Sequence, residues 1–182
     1  LFRSAPAVAV AFSGGLDSTA LLHAVTRAVT GQRVVALHIH HGLLPEADAW
    51  VAHCRAVAGE FGAEFACTWL DGRPGPAESV EAWARAGRHR ALQAMAQAAG
   101  ADVLLLAHHR RDQAETFVLQ AMRGGGLAGL ASMPRQQWRD GVCWARPWLD
   151  RPREALQAYA QAHGLRWLED PSNGRSEEHT SE

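Results

Sequence analysis

The chain contains no lysine: all eighteen of its Lys and Arg residues are arginine. That excludes a G-x-x-x-x-G-K-[ST] phosphate loop and any chemistry through a lysine Schiff base. Cysteine is scarce too, and the three present, Cys54, Cys67 and Cys143, are widely spaced with no C-x-x-C pair. Zinc, iron–sulfur and disulfide frameworks are therefore disfavoured, and a reducing cytoplasm fits. There is no uncharged run of membrane-spanning length, and no charged-then-apolar leader at the N-terminus. A net charge of −1 gives no signature of a dedicated nucleic-acid binder, although it leaves room for a local arginine face. What remains is 182 residues with 47% hydrophobic content, enough for one well-buried domain and little more.

Apolar periodicity predicts alternating strands and helices. Strands are expected at residues 7–12, 34–39, 64–70 and 103–107, with helices at 19–29, 46–61, 79–99 and 112–122. Ser79 is a candidate cap with Glu81 in the first turn, and the glycines at 124–126 end the fourth helix. Asp140-Gly141 predicts a hairpin turn before a strand at 142–148, Pro152 opens a helix to about Ala162, and residues 165–168 read as a short final strand. The alternation implies an α/β fold, a doubly wound, mostly parallel five-stranded sheet. Ligands of such sheets bind at the carboxyl ends of the strands, where strand order reverses.

Ser13-Gly14-Gly15-Leu16-Asp17-Ser18 lies between the first strand and its helix. Two glycines there permit a tight turn and bring bare N–H groups against an anion, and the following helix directs its positive end at the same place. Ser13 and Ser18 add hydroxyl donors. Asp17 would repel a polyphosphate unless a divalent cation, Mg²⁺, lay between them, so the expected ligand is a metal-bound nucleotide. Polar clusters fall at other strand ends: His38, His40 and His41 after the second strand, residues 108–116 after the fourth. His38 is expected to face the nucleotide, whereas His23, His53, His89 and His163 read as packing or capping residues. Asp112 and Glu115, three apart at a helix start, form a capping box in outline and can also bind Mg²⁺ or receive an ammonium group. Arg85 and Arg88 on the third helix can neutralise phosphate.

The S-G-G-x-D-S loop resembles the PP-loop of the ATP pyrophosphatases, of adenine nucleotide alpha-hydrolase-like fold, which hold the pyrophosphate of ATP and leave its α-phosphate open to attack. Behind it come H-x-H-H-G-L, A-R-x-x-R-H-R, A-H-H-x-x-D-Q-x-E-T, R-G-G-G-x-x-G-L, R-P-W-L and D-P-S-N. This ordered set, over nearly all of residues 8–173, resembles the N-terminal catalytic domain of the tRNA(Ile)-lysidine synthases. The resemblance implies a ligase that joins free L-lysine to the wobble cytidine of tRNA(Ile) with a CAU anticodon, through an adenylated cytidine, with release of pyrophosphate and AMP. It implies ATP and Mg²⁺ as cofactors, a cytoplasmic location without a membrane, and allows a homodimer. Carried over, Ser13, Gly14, Gly15, Leu16, Asp17, Ser18 and His38 would bind the nucleotide, Asp17 and Asp112 the metal. Asp112, Asp17, Glu115 and Arg88 would be catalytic, with Glu115 receiving the lysine amine. Arg111 stands where the family often has a second acid, so only Asp112 can act. A tRNA thiolase would need cysteine pairs, and a universal-stress-type nucleotide-binding module would leave Asp112, Glu115 and D-P-S-N idle. Residues 175–182 resemble the translation of a sequencing adapter and are expected to be a non-native tail. Residues 1–174 then form the catalytic domain, a fragment of a protein longer at both ends.

Overall fold

The computed structural model describes residues 6–40, 47–70, 79–122, 124 and 133–169. The described residues form β1 (Ala7–Ala11), α1 (Leu16–Ala28), β2 (Arg33–His40), α2 (Ala47–Glu60), β3 (Glu64–Trp69), α3 (Val80–Ala98), β4 (Ala101–Leu105), α4 (Arg110–Met122), β5 (Gln136–Arg139), β6 (Val142–Ala145) and α5 (Arg153–Ala162). The strands make one sheet in the order β3-β2-β1-β4-β6-β5, parallel except for the antiparallel β5–β6 hairpin.

Alternation along β1 distributes its side chains between two cores. Val8, Val10 and Phe12 pack with Leu21, Leu22 and Val57 of α1 and α2, whereas Ala7 and Ala9 join Leu92 and Ala96 of α3 on the opposite face. Burial on both faces explains the unbroken apolar run of β1 and of residues 103–105 in β4, the pattern of a covered parallel sheet. The chain steps outward from β1 to β3, then α3 returns it across the other face to β4 on the far side of β1. That return makes the β1–β4 pair the switch point, and the loops after these two strands face each other there.

The expected fold class holds, with two corrections. The sheet has six strands rather than five, because residues 136–139 form β5, an edge strand too polar to show an apolar alternation. Residues 165–168 are extended but pair with no strand, and Leu168 instead donates its N–H to the Gly14 carbonyl at 2.8 Å. The predicted Asp140-Gly141 turn joins β5 to β6, with φ of 42° and 81° at its two central residues, the backbone pairing of a type I′ hairpin. His41, the glycines at 125–126, the D-P-S-N segment and the tail at 175–182 lie outside the described residues.

Helix α5 closes the structure against α1. Ala20 and Ala160 are fully buried where the helices meet, rimmed by Leu165, Leu16, Tyr159 and Trp148, and His23 Nδ1 lies 2.8 Å from the Tyr159 hydroxyl. Two methyl groups set that separation, so Ala160→Leu is expected to force the helices apart at a cost of about 1–3 kcal/mol. A urea midpoint unchanged from the wild type would show that α5 does not seat there.

Candidate active site

The first β-strand ends with Phe12 donating its N–H to the Leu37 carbonyl at 2.8 Å. Beyond it the chain turns through Gly14 at φ +87°, where a Cβ would lie 2.6 Å from Cys54 Sγ and 3.0 Å from Leu168 Cδ1. Only glycine meets both the dihedral and the space. The Gly14 carbonyl accepts from the Thr19 hydroxyl at 3.2 Å and from the Leu168 N–H at 2.8 Å. The Ser13 and Ser18 hydroxyls are 3.0 Å apart, and Ser18 Oγ accepts from the Ser13 N–H and donates to the Gly15 carbonyl. Gly15 is the N-cap of α1 and supplies no capping side chain. The amides opening α1 are thus left for an anion, beside the positive end of the helix. Burial pushes the Cys54 thiol up to about 12, so it serves as packing under the loop.

Across the switch point, α4 is capped by a residue that sequence reasoning passed over. His109 is the residue before the helix: its Nδ1 accepts from the Arg111 N–H at 3.2 Å, while Asp112 Oδ2 reaches back to the His109 N–H at 2.7 Å. The capping box exists, but it is His109 with Asp112 rather than Asp112 with Glu115. The His109 ring also lies 3.7 Å, through Nε2, from Asp17 Oδ2. The contact with Asp17 raises the pKa of His109 first of all, with burial opposing and the Asp112 charge adding to the rise. One buried imidazole therefore connects the two carboxylates expected to act. Asp17 Oδ1 is buried without a hydrogen-bond partner.

These groups border a cavity of about 1160 Å³ at the carboxyl edge of the sheet, on the α3 side. Ser13, Gly15, Leu16, Asp17, Ser18, Arg88 and Asp112 all line it; Gly14 sits behind, packed on Cys54 and Leu168. Two other expected residues are not brought there. Leu37 and Ile39 point into the cavity, so His38 between them faces the other side, where it donates to the Phe12 carbonyl at 2.9 Å and stacks on Phe65. Burial lowers its pKa, which keeps the ring neutral and suits that strut. Glu115 is paired with Arg111 at 3.1 Å on the exposed side of α4.

The cavity wall also holds what composition concealed. Arg85, Arg88, Arg139, Arg146 and Arg153 line it against Asp17, Asp112 and Glu169, a basic pocket inside a chain of net charge −1. His108 accepts from Arg146 Nε at 3.2 Å, and its pKa is pushed down to about 4 by burial first and then by Arg146.

Fold and loop together define an α/β domain of nucleotide-binding type, with a glycine turn after β1. The chain belongs to the PP-loop domain family, whose model matches residues 2–179. A tRNA(Ile)-lysidine synthase of Ralstonia nicotianae is 51% identical over 173 residues, which is 93% of this chain and 37% of the relative. One of Methylococcus capsulatus is 49% identical over 166 residues, 90% of this chain and 37% of the relative. The chain thus spans little more than a third of the length of these relatives. Among solved structures, the U34-tRNA thiolase NcsA from Methanococcus maripaludis has a TM-score of 0.77 at 16% identity, covering 93% of this chain and 61% of that one. An NH3-dependent NAD synthetase from Campylobacter jejuni has a TM-score of 0.59 at 13% identity, covering 90% and 66%. These two likenesses are of fold.

Two outcomes follow from this geometry. Gly14→Ala is expected to weaken Mg-ATP binding by at least about tenfold, and adding Cys54→Ala to recover only part of it, because the second change relieves the clash and leaves the dihedral strained. Full recovery in the double variant, read by calorimetry, would mean that φ is not limiting. For His108, the folded pKa of about 4 lies below the ordinary 6.5, so between those values the unfolded chain binds more protons and stability falls as pH falls. His108→Gln, which keeps an acceptor for Arg146, is expected to flatten that decline between pH 7 and pH 4 by on the order of 1–3 kcal/mol. Parallel stability curves for the two proteins would contradict it.

Proposed function

We propose that this domain activates a base of tRNA(Ile) with ATP, and that with the remainder of the protein it joins free L-lysine to the wobble cytidine of the CAU anticodon. The observation that carries the proposal is the seat on β1's turn: uncapped amides at the start of α1, flanked by Ser13 and Ser18, with Asp17 and Asp112 tied to one histidine beside them. The choice of substrate rests on relatives named tRNA(Ile)-lysidine synthase.

The residues fit a role for Mg²⁺. Asp17 presents a buried oxygen without a partner, and Asp112 lies one imidazole away. No group of three His, Cys, Asp or Glu side chains among the described residues could hold a metal unaided. That suits a cation bound through one or two carboxylates and completed by substrate phosphates and water. Bound there, the ion would neutralise phosphate charge.

On this reading the loop amides and Ser13 and Ser18 hold the β- and γ-phosphates, leaving the α-phosphate toward Asp112 and Arg88. The cytidine carbonyl attacks that phosphorus and pyrophosphate departs with the charge the loop already stabilises. The lysine amine then displaces AMP from the activated base. Glu115 is assigned to receive that amine in place of Arg111, taking the proton that the nitrogen sheds as it bonds to the base. A cytoplasmic location is proposed on the family resemblance, which also allows a homodimer; no described helix is long and apolar enough to cross a membrane.

Asp112→Asn tests the reading because an asparagine oxygen can still accept from the His109 N–H and keep the cap. In the full-length protein it is expected to lower tRNA-dependent pyrophosphate release by at least about 100-fold with the melting temperature little changed. Turnover near that of the wild type would reduce Asp112 to a helix cap.

A further inference from the structure

Away from the glycine loop, the cavity contains a buried cation with no acid to match it. Arg146 directly follows β6 and is only 7% exposed. Its Nε donates to His108 Nδ1 at 3.2 Å and its Nη1 to the Pro134 carbonyl at 2.9 Å, while Nη2 has no hydrogen-bond partner among the described residues. The side chain lines the cavity. A guanidinium has five N–H donors, and a buried one is ordinarily paired with a carboxylate or another anion.

Its neighbours make the imbalance worse. Arg85 reaches the same place from α3 and Arg139 from β5; burial first and then these two charges lower the pKa of Arg146. Arg139 lies over the Trp144 ring at 5.3 Å and donates to Gln137, and His89 meets that ring edge-on at 5.2 Å. Neither imidazole offsets the charge. Burial, followed by Arg85, Arg139, Arg88 and Arg146, lowers the pKa of His89, and His108 is held down in the same way despite Asp112 on α4. Among the described residues no carboxylate forms an ion pair with Arg85, Arg139 or Arg146. The Arg139 guanidinium over the Trp144 indole, Arg85 and Arg146 line one cavity and repel each other until an anion joins them.

We propose that Arg146, Arg85 and Arg139 form a second anion subsite of the cavity, shaped for one phosphate group and separate from the glycine loop. Separation follows from strand order. The loop leaves β1 and Arg146 leaves β6, with β4 between them, so the two seats are about 10 Å apart at the ordinary strand spacing. A phosphate held by the loop amides does not reach Nη2 across that distance. Its planar, multiply donating guanidinium is suited to phosphate oxygens. The choice of probes rests on the proposed function: the group is either a phosphodiester of the RNA strand or the α-phosphate of the nucleotide, the one that the loop does not hold.

Equilibrium binding of Mg-ATP and of an RNA stem-loop carrying a CAU loop, measured separately over a salt series, distinguishes these. If the strand is the ligand, Arg85→Gln and Arg139→Gln each weaken the RNA about tenfold and lower its salt slope by about 1, with ATP binding unchanged. If the nucleotide is the ligand, the same variants weaken ATP and spare the RNA. Either result supports the subsite. Arg146→Met is expected to have the larger effect; circular dichroism checks its fold, and the two less buried arginines decide the matter where it does not fold. Unchanged affinity for both probes in folded variants overturns the subsite while leaving the proposed function standing, provided that Asp17→Ala still weakens ATP. A wild-type protein that binds neither probe overturns both.

Discussion

The peptide at Gly14 is the constraint on which the rest of the site depends. Its left-handed dihedral turns the chain out of β1, and its missing side chain lets Cys54 and Leu168 close in from behind. Its carbonyl is the anchor for both the Thr19 hydroxyl and the Leu168 amide. Parts of the molecule distant in sequence, the core of α2 and the chain after α5, thereby fix a turn that must hold its amides ready before any ligand arrives. Preorganised donors of this kind are effective because they need no reorientation as charge develops.

Opposite that turn, His109 fixes the start of α4. It caps the helix with one ring nitrogen, directs the other at Asp17, and receives Asp112 at its own amide. Asp17 on the turn side and Asp112 on α4 are held in one short chain of contacts across the switch point. A change at either end is therefore felt at the other, and single-residue effects here will not add independently. The rest of α4 is looser, with no buried residue, and carries Glu115 outward.

Much of this was legible in the sequence. Strand-to-helix alternation marks the doubly wound sheet, and S-G-G-L-D-S the tight glycine turn after β1, because both signals are local: a period and a run of six residues. What escaped were features made by convergence. β5 is visible only through its hairpin with β6, since Gln136, Gln137 and Arg139 carry no apolar pattern. His38 was misplaced by one step of strand parity, which sends its neighbours to the cavity and itself to the opposite face. The arginine wall comes from α3, β5, the end of β6 and α5; a net charge near zero hides such a concentration completely. His109 stood beside His108 in the sequence, and nothing local says which of the two caps the helix and which accepts from an arginine.

The central claim is that ATP sits with its terminal phosphates on the amides of β1's turn and its α-phosphate toward Asp112. A crystal structure with Mg²⁺ and a non-hydrolysable ATP analogue tests it most directly. The account predicts phosphate oxygens bonded to the amides at the start of α1 and to Ser13 and Ser18, with the cation against the Asp17 oxygen that has no hydrogen-bond partner among the described residues. An analogue bound elsewhere in the cavity, with Asp17 turned away from it and the loop amides unused, would contradict the account.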